Sequence, residues 1–173
     1  GDKLLAAFAH DEPVFAHTTV QHIGQVIGLV VADSVMQARR AVRAVKLDIT
    51  PLPAVLTVQD ALQAQSYVLP PVFVRRGDAA TGLAQSAHRM QGAFEVGGQE
   101  HFYFQGHIAY ATPPDGGQRL SHTSTQHPGA VQHWVAHALG IPLHAVRVVC
   151  RRMGGGFGGK ETQAGHLAVW AAV

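Results

Sequence analysis

The run "AVRVVCRRMGGGFGGKETQAGHLAVWAAV", residues 145 to 173, decides how this chain is read. Val146, Val148 and Val149 lie in a short β-branched stretch that predicts a strand ending at Cys150. Five glycines follow between positions 154 and 159, broken only by Phe157, and the residues from Glu161 onward predict a helix. Strand, glycine loop and helix is the context in which backbone N–H groups and a helix N-terminus together hold an anion.

Two phosphate-binding patterns overlap on that loop. Gly154, Gly159 and Lys160 fit the G-x-x-x-x-G-K part of a P-loop, while Gly154, Gly156 and Gly159 fit G-x-G-x-x-G. A P-loop needs Ser or Thr after the lysine to hold Mg²⁺, and Glu161 stands there instead, its charge set against the phosphates. The dinucleotide pattern calls for an acidic ribose ligand about 20 residues further on, past Val173. A glycine-rich turn without a ligand is one remaining reading. A noncatalytic nucleotide- or anion-binding module built on the loop is the alternative from another functional class.

Working toward the N-terminus, Pro128 and Gly129 lead into "AVQHWVAHALG", an amphipathic helix ended by Gly140. Gly116-Gly117, between two alternating apolar runs, predicts a hairpin. "HRMQGAFEVGG" from His88 reads as a strand, and "GDAATGLAQSA" from Gly77 and "TVQDALQAQ" from Thr57 read as short helices. "IGQVIGLVVA", residues 23 to 32, is β-branched and reads as a buried strand. Asp33 or Ser34 caps the helix "SVMQARRAVRAVK", and "KLDIT" is a further strand stopped by Pro51 and Pro53. The texture turns rich in aromatics and histidines from Gln99, which places a domain boundary near residues 85 to 95.

Composition excludes several classes. The 173 residues are 47% hydrophobic and carry a net charge of only +2, so the chain can build a core and has no basic face made for nucleic acid. No apolar stretch approaches the ~18 residues that span a bilayer, and no charged-then-apolar leader opens the chain. The lone Cys150 closes no internal disulfide, which fits a cytoplasmic protein, and at the end of an apolar strand it reads as a small buried hydrophobe. His133 and His137 lie four apart on one predicted helix but lack the glutamate of H-E-x-x-H, and His101, His107, His122 and His127 have no ligand spacing. The chain begins without Met and stops inside an apolar run, as a piece of something larger would.

"GGQEHFYFQ" at 97 to 105, "HTSTQHP" at 122 to 128 and "RRMGGGFGGKET" at 151 to 162 together resemble the molybdenum-cofactor subunit of the xanthine dehydrogenase/aldehyde oxidase family. "IGLVVAD" at 27 to 33 and "PLPAVLTVQDAL" from Pro51 extend the resemblance over nearly the whole chain. It implies an α+β fold: an α/β hammerhead-like domain over residues 1 to 90, then the first segment, 91 to 173, of the molybdenum-cofactor-binding domain. It implies a molybdenum–molybdopterin cofactor lying against the glycine loop, with Gly156 and Gly158 letting the backbone approach. Gln126 would aim its amide at an oxygen on the metal and Phe157 would contribute through its main chain. Neither is a covalent metal ligand.

The resemblance further implies hydroxylation of a purine such as hypoxanthine or xanthine, with water as the oxygen source. Glu161 would contact that purine, since aldehyde oxidases usually lack a carboxylate at this position. No catalytic residue is expected in this segment, because the family's general base is a glutamate beyond Val173. Iron–sulfur clusters and FAD would sit on partner subunits or segments, as each [2Fe–2S] cluster needs four cysteines. The implied assembly is a hetero-oligomer with an iron–sulfur/FAD subunit and the remainder of the molybdenum subunit. Gln105 departs from the pattern, since many relatives carry Glu there. An amide keeps the hydrogen bonding but loses the anion.

Overall fold

The computed structural model describes residues 4, 5, 9 and 11 to 173. In chain order its elements are β1 (Leu4–Leu5), β2 (Glu12–Pro13), α1 (Val35–Ala44), α2 (Val58–Ala64), α3 (Ala79–Gln85), β3 (Ala109–Ala111), β4 (Arg119–Thr123), α4 (Pro128–Leu139), β5 (Val146–Val149) and α5 (Gln163–Ala172). The mixture is the expected α+β. It divides into two units, one formed by residues 1 to 43 with 98 to 173, the other by residues 44 to 97.

The first unit holds the packed interior. Gly116 and Gly117 take φ of 54° and 79°, the left-handed turn a tight hairpin needs, and β3 pairs antiparallel to β4 on either side of it. After β4 the chain runs through α4 and returns in β5, which lies parallel to β4 with Ser121 opposite Val148. The sheet order is therefore β3-β4-β5. Pro128 opens α4, where its missing N–H costs nothing, and Gly140 ends it at φ 67°. Val131, Val135 and Ala136 share one face of α4 and are buried with Val146, Ala168 and Val169. Leu5 and Val14 join the same cluster, and the Trp170 indole donates a 3.0 Å hydrogen bond to the Val14 carbonyl.

The interior face of α5 is built from small residues, Ala164, Gly165 and Ala168, beside Val169. Gly165 is needed there: a Cβ at that position would stand 2.1 Å from the Trp134 ring of α4. The sequence therefore gives up helix propensity at Gly165 to let a tryptophan lie against the α5 backbone.

The helices predicted upstream form where their caps stand. Ser34 accepts the Gln37 amide at 3.3 Å, Thr57 the Asp60 amide at 3.1 Å and Asp78 the Thr81 amide at 3.1 Å. The strands predicted at 23 to 32, at "KLDIT" and at "HRMQGAFEVGG" do not form, and Ile23, Val31 and Phe94 are exposed rather than buried. A cap is closed by residues three positions apart, whereas a strand exists only when another strand accepts its hydrogen bonds. Over 23 to 32 the one backbone bond to another segment among the described residues joins the Ala16 amide to the Val26 carbonyl, 2.8 Å. Among the described residues no helix is long and apolar enough to cross a membrane.

Candidate functional site

Parallel pairing of β4 and β5 sends the chain out of both strands at the same end of the sheet. The segment before β3 arrives there as well, because Ala109 at the start of β3 faces Thr123 at the end of β4. Three stretches of sequence thus converge: residues 101 to 108, residues 124 to 127 and the glycine loop after β5. The carboxyl ends of parallel strands are where open α/β sheets place their ligands.

Gln126 joins two of these stretches. Its amide N–H donates to the Lys160 carbonyl at 2.9 Å, and its side-chain Oε1 accepts the N–H groups of Gly158 at 3.0 Å and Lys160 at 3.2 Å. Two backbone donors on Oε1 settle which end of the amide faces the loop. The Nε2 end has no acceptor among the described residues and is left to donate outward. Gly156 makes this contact possible, since a Cβ there would lie 2.7 Å from Gln126 Oε1.

Gln105 grips the other end of the loop. Its Oε1 accepts the Gly154 N–H at 2.8 Å and the Ser124 hydroxyl at 3.0 Å, and its own N–H donates to the Gly154 carbonyl at 3.2 Å. Because the carbonyl half of the amide carries these contacts, Gln in place of Glu leaves the geometry intact and removes only a charge. Gly155 presses on the Cβ of Tyr103 and Gly159 on its ring, with virtual Cβ contacts of 2.9 and 2.8 Å. Gly158 has φ of +86° and no atom within 4 Å of its virtual Cβ, so its surface is open.

Phe157 sits at the apex with φ of 48°, a left-handed conformation uncommon for a residue with a side chain, and is 73% exposed. The N–H groups of Gly155, Gly156 and Phe157 have no acceptor among the described residues. Glu161 follows the loop directly, half-exposed, its carboxylate 3.9 Å from Nε2 of His127. Gln126, Gly156, Phe157, Gly158 and Glu161 therefore lie on adjoining backbone, drawn together from two segments more than 30 residues apart.

Lys160 points the other way. It is fully buried, and its ammonium donates to the Gln105 carbonyl at 2.5 Å and the Ser124 hydroxyl at 2.9 Å, with the Tyr103 ring centroid 4.6 Å away. A P-loop lysine must reach the phosphates, and this one is held inside, so the nucleotide-binding alternative is not favoured. The roles of Lys160, Gln105, Ser124 and Tyr103 escaped the sequence reading. The signal was the lysine next to the glycines, weighed only as part of a P-loop pattern that Glu161 argued against and not as an interior residue.

His107 Nε2 and the Tyr103 hydroxyl share a 2.6 Å hydrogen bond, and burial, then the charges of Lys160 and His101, hold the His107 pKa below the ordinary imidazole value. Among the described residues no three His, Cys, Asp or Glu side chains gather as metal ligands, and His133 and His137 take no part in such a group. What the loop offers instead is amide donors without acceptors among the described residues, glycines at 154, 155, 156 and 159 without room for a side chain, and a free Gln126 Nε2. These suit a cofactor that carries its own metal and presents oxygen or other acceptor atoms.

Comparison with known proteins agrees. Residues 63–173 match the molybdopterin cofactor-binding domain, and residues 2–53 match the aldehyde oxidase and xanthine dehydrogenase a/b hammerhead domain. The chain belongs to the molybdopterin cofactor-binding domain family. It is 39% identical over 170 residues to the xanthine dehydrogenase/oxidase of Gallus gallus, covering 98% of this chain and 12% of that protein. It is 43% identical over 168 residues to the xanthine dehydrogenase of Drosophila subobscura, covering 95% of this chain and 12% of that one. The structure of quinoline 2-oxidoreductase from Pseudomonas putida 86 superposes with a TM-score of 0.75 at 26% identity, over 92% of this chain and 22% of that one. The chain thus spans about one eighth of the length of these curated relatives.

Proposed function

We propose that this chain supplies one wall of the cofactor and substrate site of a molybdenum hydroxylase that oxidises purines such as hypoxanthine or xanthine, with water as the source of oxygen. The observation that carries the reading is the Gln126 clasp: Oε1 is held by Gly158 and Lys160, so Nε2 is a fixed, outward donor beside the loop. When bound, the molybdenum–molybdopterin group supplies oxygen transfer and two-electron chemistry. Gln126 Nε2 and the N–H groups of Gly156 and Phe157 would hold its acceptor atoms, with Gly156 giving room to Gln126 and Gly158 leaving space for the group. Neither Gln126 nor Phe157 is a ligand to the metal. In this reading residues 1 to 90 form the hammerhead-like domain and 91 to 173 begin the cofactor domain.

Glu161 orients the substrate. Its carboxylate lies half-exposed on the same backbone stretch as Lys160, one residue beyond the carbonyl that Gln126 engages, and would accept hydrogen bonds from a purine ring. The general base is a glutamate further along the polypeptide. Electrons leave to iron–sulfur clusters and FAD on partner subunits or segments, in a cytoplasmic hetero-oligomer that includes the remainder of the molybdenum subunit.

In the complete enzyme, Glu161→Val removes a charged hydrogen-bond partner, about 1.5–3 kcal/mol. Purine kcat/KM then falls roughly ten- to hundredfold, while small aldehydes are much less affected. An equal fall for both substrates at full molybdenum content would remove Glu161 from the purine site. Gln126→Glu keeps the acceptor held by the loop and loses the outward donor, so turnover slows while the loop amides keep their protection.

A further inference from the structure

Lys160 is fully buried, yet every partner of its ammonium is neutral: the Gln105 carbonyl, the Ser124 hydroxyl and the face of the Tyr103 ring. Among the described residues no carboxylate lies within ion-pair distance of it. Burying an unpaired charge is costly, and a protein that keeps one ordinarily has a use for it. Its position is informative. The Tyr103 ring that the ammonium faces lies against Gly159 and its Cβ against Gly155, and the N–H groups of the neighbouring Gly155, Gly156 and Phe157 have no acceptor among the described residues. Successive N–H groups in such a turn form an anion-binding concavity, and a cation beneath it in a low-dielectric interior adds to its field.

We propose that Lys160 is the positioning and charge-bearing residue of the glycine loop: a buried, uncompensated ammonium that ties residues 103 to 107 and Ser124 beneath the loop and favours a dianionic group on its outer face. It does so without touching that group. This deepens the function proposed above and rests on it for the identity of the natural ligand, while the charge itself is testable separately.

Gln105→Glu is the sharpest perturbation. A carboxylate keeps both acceptor contacts, to the Gly154 N–H and the Ser124 hydroxyl, and places a counter-charge near the ammonium. Lys160→Met removes the charge and keeps most of the length. The probes are molybdate and orthophosphate, titrated into the chain while the amide resonances of Gly155, Gly156 and Phe157 are followed by NMR, with the imidazole titration of His107 as a second readout. The wild type is expected to give saturable shifts at those three amides, and either variant to weaken both dianions about tenfold. The His107 midpoint is expected to rise in both variants, since each removes or balances the cation that opposes imidazolium. A purely structural role for Lys160 would leave the Gln105→Glu protein unchanged in both respects. Failure of the wild type to bind either dianion, or equal binding by Gln105→Glu, overturns the proposal. Dianion binding by the chain, with no molybdopterin in the complete enzyme that contains it, would overturn the function proposed above and leave the role of Lys160 standing.

Discussion

Replacing Gly156 with alanine puts a methyl group where Gln126 already lies. The new Cβ would stand 2.7 Å from Oε1, 2.9 Å from Cδ and 2.9 Å from Cγ of that side chain, closer than real Cβ contacts come. Gln126 is only partly buried and can swing away, so relief comes at the cost of its two bonds to the Gly158 and Lys160 amides. Each such bond contributes about 0.5–1.5 kcal/mol net. Alanine in place of glycine returns about 0.4–1 kcal/mol by restricting the opened chain. At the midpoints of these ranges the balance is a loss of about 1.3 kcal/mol, roughly a tenfold shift of the loop's equilibrium toward the open form. Native-state hydrogen exchange at the Gly158 and Lys160 amides measures it directly. If the effect runs through Gln126, then Gly156→Ala adds almost nothing in a Gln126→Ala background. Additive effects, or unchanged exchange in the single variant, would refute the clasp as the element that holds the loop.

Gly165→Ala should lower the thermal midpoint, because overpacking against Trp134, about 1–3 kcal/mol, exceeds the ~1 kcal/mol that alanine ordinarily adds to a helix; a raised midpoint would show that Trp134 moves freely. The folded state disfavours protonated His107, so its contribution to stability is complete above the ordinary imidazole pKa and is lost as pH falls below about 6.5 toward the depressed value. Urea titrations at pH 7.5 and 5.5 should therefore differ in the wild type by more than in His107→Gln, and equal differences would discount the depressed pKa. Phe104, Met90, Phe94 and Val74 are almost wholly exposed, more apolar surface than a soluble monomer ordinarily presents, so sedimentation should detect self-association of the isolated chain, and a clean monomer would contradict this.

Local chemistry made much of this protein legible from its sequence. Ser34, Thr57 and Asp78 each close a cap within three residues, Gly116-Gly117 supplies the turn of the hairpin, and Pro128 and Gly140 bracket α4. The three motifs that carry the family resemblance were equally plain, and with them the membership that comparison established. The strands at 23 to 32 and 46 to 50 were misread because β-branched composition reports a preference for extended backbone, whereas pairing depends on a partner elsewhere in the chain.

The candidate site divides along the same line. That the glycine loop would meet a ligand could be argued from "GGGFGGKE" alone, but the direction of Lys160 could not. A lysine beside glycines reads identically whether it faces a phosphate or the interior. The parallel pairing of β4 with β5 brings Gln105, Ser124 and Lys160 to one end of the sheet, and only their meeting turns the lysine inward. Those residues lie up to 55 positions apart, and the hydrogen bonds that give the ammonium neutral partners exist only once the three segments have converged. The sequence determined the helix caps, the turns and the family, because caps, turns and motifs are properties of neighbouring residues. Tertiary structure decided which side of the loop carries the charge, because that depends on contacts between residues distant in the chain.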